Sequence, residues 1–136
     1  MATPFKLQPL GFIYDTGPYS FHAGTGGTTI GRAVKMAPGV ANTVIPISVA
    51  GEASWGIALS TQLIGEDVSV LQRGRFDKAE AGAALATLYT PLMVDSVGRY
   101  VAATTGKVIV GMNVTLAVNV GDAFVIELDA AQRVAP

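Results

Sequence analysis

The run Val108-Ile109-Val110-Gly111-Met112-Asn113-Val114-Thr115-Leu116-Ala117-Val118 decides how this chain is read. Its apolar residues recur at every second position, from Val108 through Val110, Met112, Val114 and Leu116 to Val118. In an extended chain alternate side chains point to opposite faces, so the run predicts a β-strand with one buried face. Gly121-Asp122 then predicts a turn, and Phe124, Ile126 and Leu128 alternate with Val125, Glu127 and Asp129 in a second strand, the expected hairpin partner. The expected core takes Val108, Val110, Val114, Leu116, Phe124, Ile126 and Leu128 from this pair. An enzyme or a ligand-binding barrel would need a cluster of polar groups on the inward face. None falls on the face expected here.

The same pattern recurs toward the N-terminus. Ile45, Ile47 and Val49 alternate, and Pro46 among them marks an edge strand or a bulge. Ile57-Ala58-Leu59 and Val68-Ser69-Val70-Leu71 flank the turn residues Gly65-Glu66-Asp67, while Met93-Val94-Asp95 and Tyr100-Val101 flank Ser96-Val97-Gly98-Arg99. Short strands with turns at such intervals predict a mainly β fold, a small barrel over residues 30–136. One segment departs from it. Asp77-Lys78-Ala79-Glu80 resembles a helix capping box, and Ala81, Ala84, Leu85 and Leu88 follow at helical spacing, so one short helix or turn is expected before Pro91.

The chain also echoes itself. Gly31-Arg32-Ala33-Val34 matches Gly98-Arg99-Tyr100-Val101. Gly56-Ile57-Ala58-Leu59, leading to Gly65-Glu66-Asp67-Val68, matches Gly111-Met112-Asn113-Val114, leading to Gly121-Asp122-Ala123-Phe124. Either a duplicated β unit closes into one pseudo-symmetric barrel, or glycine- and valine-rich strands coincide by chance.

Residues 1–29 read differently. Phe5, Leu7, Leu10, Phe12, Ile13, Tyr14, Tyr19 and Phe21 are broken by Pro4, Pro9, Gly11, Gly17 and Pro18, and Gly24-Thr25-Gly26-Gly27-Thr28-Thr29 reads as a hinge. This predicts an extended apolar arm, with Phe5, Leu7, Leu10, Phe12 and Tyr14 as candidate contacts to a neighbouring subunit or a larger assembly. Trp55, at the start of an expected strand, is either an interface anchor or a core or rim aromatic.

Composition narrows the function classes. Hydrophobic residues make up 50% of the 136-residue chain and charged residues 14%, and the formal net charge is −1. So few charges suggest that part of the surface is covered by a partner or by further copies of the chain. No basic stretch offers phosphates a footprint, which argues against nucleic acid and against membrane surfaces. The start, Met1 to Lys6, lacks the apolar core of a signal peptide, and no apolar run is long enough for a transmembrane helix. There is no cysteine, so no disulfide is expected, which suits synthesis in a cytoplasm.

The residues of chemistry are sparse. His22 is the single histidine, so Cys/His zinc sites are excluded, and it reads as a polar residue in a loop. Gly26 to Ala33 has the spacing of a phosphate-binding loop, but Arg32 and Ala33 stand where that loop needs Lys and a hydroxyl. Glu66 and Asp67 are adjacent, and Glu127 and Asp129 share a wet strand face, so neither pair is arranged for acid–base work. No enzymatic activity, metal or other cofactor is expected.

Taken in order, several segments are similar to the capsid cement proteins of tailed double-stranded DNA phages. They are Gly56-Ile57-Ala58-Leu59, Gly65 to Val70, Gly74, Ala81 to Leu85, Asp95 to Arg99, Val110-Gly111-Met112 and Gly121-Asp122. The resemblance covers roughly residues 30–129. It implies a small β-barrel decoration protein on the outer surface of the virion head, bound to the major capsid protein and assembled as a trimer or dimer. The N-terminal arm departs from that pattern. A tail, baseplate or fibre component is the alternative within the same structural class.

Overall fold

A computed structural model describes residues 19–136, and the apolar alternations singled out above lie in or beside its β-strands. In chain order these are β1 (Tyr19–Ala23), β2 (Ala33–Met36), β3 (Thr43–Pro46), β4 (Gly56–Ala58) and β5 (Asp67–Leu71), then β6 (Gly74–Glu80), β7 (Pro91–Val94), β8 (Tyr100–Ala102), β9 (Val108–Asn113) and β10 (Ala123–Val134). Among the described residues there is no helix. β1 and β5 show why such segments become strands: Phe21, Ala23, Val68 and Val70 are buried, while Ser20, His22, Asp67 and Ser69 face water.

The first five strands close into a barrel in the order β1-β3-β2-β4-β5, and the other five form a sheet in the order β6-β10-β9-β7-β8. Raising each strand number of the barrel by five gives the neighbours of the sheet, with one seam, β6 to β8, reduced to the parallel bridge Ala81↔Tyr100. In the barrel the corresponding contact is the parallel pair His22↔Thr43 and Ala23↔Val44.

Register repeats as well as order. Ala33↔Ile57 and Val34↔Gly56 recur as Pro91↔Met112 and Leu92↔Gly111, and Ile57↔Leu71 and Ala58↔Val70 recur as Met112↔Glu127 and Asn113↔Ile126. Gly56 and Gly111 are confined alike, since an added Cβ would lie 2.5 Å from the Leu71 carbonyl oxygen in one and 2.4 Å from that of Glu127 in the other. The chain is therefore two tandem copies of one five-strand unit. The echo of Gly56–Val68 in Gly111–Phe124 reflects this duplication. The echo of Gly31–Val34 in Gly98–Val101 does not: Val34 is equivalent to Leu92, and the Ala33 N–H donates to the Gly98 carbonyl across the junction between units.

That junction is tight. The Glu80 N–H donates to the Gly31 carbonyl at 2.9 Å, and Arg32 grips the Glu80 carboxylate through Nε at 2.9 Å and Nη2 at 3.2 Å. A cluster of Phe21, Ala23, Val34, Val44, Ala58, Val68 and Val70 fills the first barrel. The second cluster joins Ala33, Ile47 and Ile57 of the first unit to Leu92, Val94, Tyr100, Val110, Phe124 and Ile126 of the second. Each large aliphatic side chain so buried contributes roughly 1.5–3 kcal/mol.

Four expectations are corrected. Asp77–Glu80 lies in strand β6, because pairing along β10 overrides the local capping pattern and Glu80 serves Arg32 instead of a helix end. Beyond it residues 81–90 hold no helix, and of the two expected alternatives the turn stands there, at Leu88-Tyr89 just before Pro91. The alternation of Val108–Val118 stops at Asn113, which is fully buried, and Ala117 pairs inward with Leu85. That shifts the parity by one: Val110, Phe124, Ile126 and Leu128 are core, Val108 and Val114 are half-buried, and Leu116 is exposed. The inward face is also not free of polar groups, since Asn113 lies on it. Finally, β1 falls within the span expected as an arm. Tyr19–Ala23 pairs with β5 and β3, so the barrel begins before residue 30.

Candidate functional site

Of the expected contact residues, Phe5, Leu7, Leu10, Phe12 and Tyr14 lie outside the described residues. Trp55 is described, and it is a surface aromatic on a stiff mount. The residue is 43% exposed, and its ring meets Phe21 edge to face at 6.4 Å. The Trp55 N–H donates to the Val34 carbonyl at 2.8 Å. Just before it, buried Ser54 is clamped by the Gln132 side chain, whose Nε2 donates to the Ser54 carbonyl at 2.6 Å and whose Oε1 accepts from the Ser54 N–H at 3.2 Å. A shallow groove of about 330 Å³ runs beside Trp55, lined by Tyr19, Phe21, Asn42 and Gln72. Tyr19, which opens β1, stands at one side of this groove.

A larger groove, about 610 Å³, lies over β9 and β10. Its apolar floor includes Ile109, Met112 and Leu128, and Arg73, Glu127, Asp129 and Arg133 stand around it. The carboxylates are engaged by arginines: Arg75 Nε to Glu127 at 2.9 Å and Arg133 Nη1 to Asp129 at 3.1 Å. Tyr89, largely exposed at the same groove, holds a left-handed backbone with φ 59°. For a bulky side chain this conformation is strained and must be held by its surroundings. Asn113 does so. Its carbonyl accepts from the Tyr89 N–H at 2.9 Å, its Oδ1 accepts from the Thr90 N–H at 2.8 Å, and its Nδ2 donates to the Thr87 and Thr115 carbonyls. Sequence reading passed over Tyr89 because nothing local marks a strained tyrosine. Asn113 gave no signal either, because it falls between the apolar positions, where a polar residue is expected.

His22 sits on strand β1, not in a loop, and its Nδ1 lies 2.9 Å from Asp67 Oδ1. Both side chains are well exposed to water. Among the described residues no group of three or more His, Asp or Glu is placed to hold a metal ion. The glycine-rich Gly26–Ala33 leads into strand β2, not into the helix that a phosphate-binding loop needs.

The described surface therefore offers grooves, an anchored tryptophan and exposed aliphatic loop tips. No protein family and no curated protein matches the sequence. A solved structure does match the fold: the N base of the head fiber gp8.5 in bacteriophage phi29, with a TM-score of 0.66 over 85% of this chain and 96% of that chain. A head-fibre base has this fold. At 12% identity the likeness establishes the architecture, both units included, and nothing about particular residues.

Proposed function

We propose that the chain is a structural protein of a phage virion that attaches to the outer surface of the head and reinforces the shell, in the manner of a decoration or cement protein. The observation that carries this reading is the shared architecture with a head-fibre base, over nearly the whole length of both chains. The low charge content and the exposed aliphatic loops support it, because a surface so poor in charge is suited to being covered. The partner is the major capsid protein, and the chain acts as a homo-oligomer without enzymatic activity. Trp55 and the apolar N-terminal residues Phe5, Leu7, Leu10, Phe12 and Tyr14 contribute to attachment or to contacts between copies.

A second reading keeps the head but changes the role. The matched protein is a fibre base, which favours this chain's being the foot of a longer appendage. Mixing the purified protein with undecorated heads and sedimenting them distinguishes the outcomes. Saturable binding together with heads that withstand higher temperature before releasing DNA supports cement. Saturable binding with no gain in head stability supports a fibre foot. Absence of binding at micromolar protein rejects both.

A further inference from the structure

Two positions that the repeat makes equivalent lie in opposite surroundings. Trp55 precedes Gly56 as Val110 precedes Gly111, and these glycines hold the same place in their units. Val110 is 1% exposed and belongs to the core, whereas Trp55 is 43% exposed. The neighbouring place differs in the same sense. Leu128, opposite Gly111, is buried, and its counterpart in the first unit is the half-buried, polar Gln72. Tyr19, Asn42 and Trp55 stand at or just before the starts of β1, β3 and β4, and Gln72 follows the end of β5. Given the pairing directions, all four meet at one end of the first barrel. A place that is core in one copy of the fold is an open groove at the barrel mouth in the other.

The repeat also indicates which segment passes this groove. In the second unit β6 starts two residues before Phe76, with Arg75 opposite Glu127 and Gly74 opposite Leu128. Tyr19, opposite Val70, holds the place of Phe76, opposite Ile126. The same pairing, continued in the first unit, would carry Pro18 and Gly17 beside Leu71 and Gln72, and Gln72 is a wall of the groove. The chain before Tyr19 is suited to that place. Residues 7–14 carry no charge, and neither do the residues that line the groove. Tyr14 stands five residues before Tyr19, a reach of at most about 18 Å, with the turn-forming Gly17-Pro18 between them.

We infer that the groove is the seat of the chain's own N-terminal segment, with Phe12, Ile13 and Tyr14 laid against Trp55 over the mouth of the first barrel. Ser20, Asn42 and Gln72 offer hydroxyl and amide groups to the main chain of the segment, whose N–H and C=O groups need partners once water is displaced. A segment tethered at Tyr19 is held at high effective concentration, so a shallow groove suffices where a free peptide would not stay. The anchor lies at Phe12 to Tyr14, and Phe5, Leu7 and Leu10 extend beyond it as the part left for contact with another surface. The inference concerns the chain alone and does not depend on what that surface is.

The test uses the chain's single tryptophan. Trp55 emission and its quenching by acrylamide are compared in the full chain and in three variants. These are a chain lacking residues 1–18, a triple variant of Phe12→Ser, Ile13→Ser and Tyr14→Ser, and a double variant of Phe5→Ser and Leu7→Ser. The truncation and the triple variant are expected to shift the emission to the red and to lose protection from the quencher to the same extent. The double variant is expected to match the parent, and none of the values to change with protein concentration. A triple variant that keeps the parent's emission and protection overturns the inference, and it decides alone if the truncated chain does not fold. A parent whose emission moves to the red on dilution holds a second copy's segment in the groove, which overturns it as well. A parent whose Trp55 becomes protected only when undecorated heads are added has the capsid in the groove. That outcome overturns this inference and leaves head attachment standing.

Discussion

At the scale of residues, the structure turns on side chains whose environments depart from what their neighbours in sequence suggest. Tyr100 is fully buried against Phe124, with ring centroids 6.2 Å apart, and its hydroxyl has no hydrogen-bond partner among the described residues. Burial pushes its pKa well above the ordinary 10.0. The folded protein therefore keeps a proton that the unfolded chain gives up near pH 10, and the stability held below that pH falls as pH rises further. Tyr100→Phe is expected to raise stability by about 1 kcal/mol and to flatten this alkaline loss, as read from denaturant melts at pH 8 and pH 11. Glu52 works at the other end of the scale. Burial alone would raise its pKa, but N–H groups of Ser48 and Val49 and the Lys35 ammonium at 3.1 Å together hold it below the usual 4.5. A lowered carboxylate contributes stability above its ordinary titration range and loses it as pH falls through the folded value. Glu52→Gln is accordingly expected to be less stable than the parent at pH 7 and to close that gap toward pH 3. Asn113 shows where reading residues from sequence stops: a period of two runs through it unbroken, and only its four hydrogen bonds reveal that it ends a strand.

At the scale of elements, local pattern located the strands well and misjudged what lay between them. β9 and β10 coincide with expected alternations, because a strand with one buried face leaves that imprint, and β4, β5, β7 and β8 coincide with short apolar runs expected beside turns. β6 left none: its outward residues Arg75, Asp77 and Lys78 are charged, and only Ala79 is fully buried, so a capping motif was easier to see than a strand. β1 was hidden by the prolines and glycines around it. Its place in the barrel changes what truncation does. Removal of residues 1–18 is expected to leave a cooperative thermal transition, whereas removal of residues 1–24 deletes β1 and is expected to abolish it. Trp55, the single tryptophan, reports on the same segment: if the N-terminal residues cover its groove, the shorter truncation shifts its emission to the red. Gly31 governs the join between elements. At φ 83°, with an added Cβ 2.1 Å from the Lys78 carbonyl oxygen, Gly31→Ala is expected to destabilise the protein by about 2 kcal/mol or more in equilibrium unfolding.

For the whole molecule, duplication is the organising fact, and it was partly legible. The glycine that opens β4 and recurs inside β9 as Gly111, and the Gly-acid turn before β5 and β10, carry it, since backbone approach and left-handed turns demand those residues. The equivalence of β2 with β7 left no trace in sequence, because aliphatic positions tolerate exchange. The two copies also differ at one place. The first ring is closed by a two-residue parallel pair and the second by a single bridge, with the Gly82 N–H donating to the Tyr100 carbonyl at 2.8 Å. The Gly82 amide is expected to exchange with deuterium faster than the Gly24 amide, its equivalent in the closed ring. If the protein reinforces a head, as proposed above, it bears load. A ring with a weak seam yields before a closed one, so strain passed into the molecule would open the second unit between β6 and β8 while the first held its shape. The seam makes one half a compliant element in series with a stiff one.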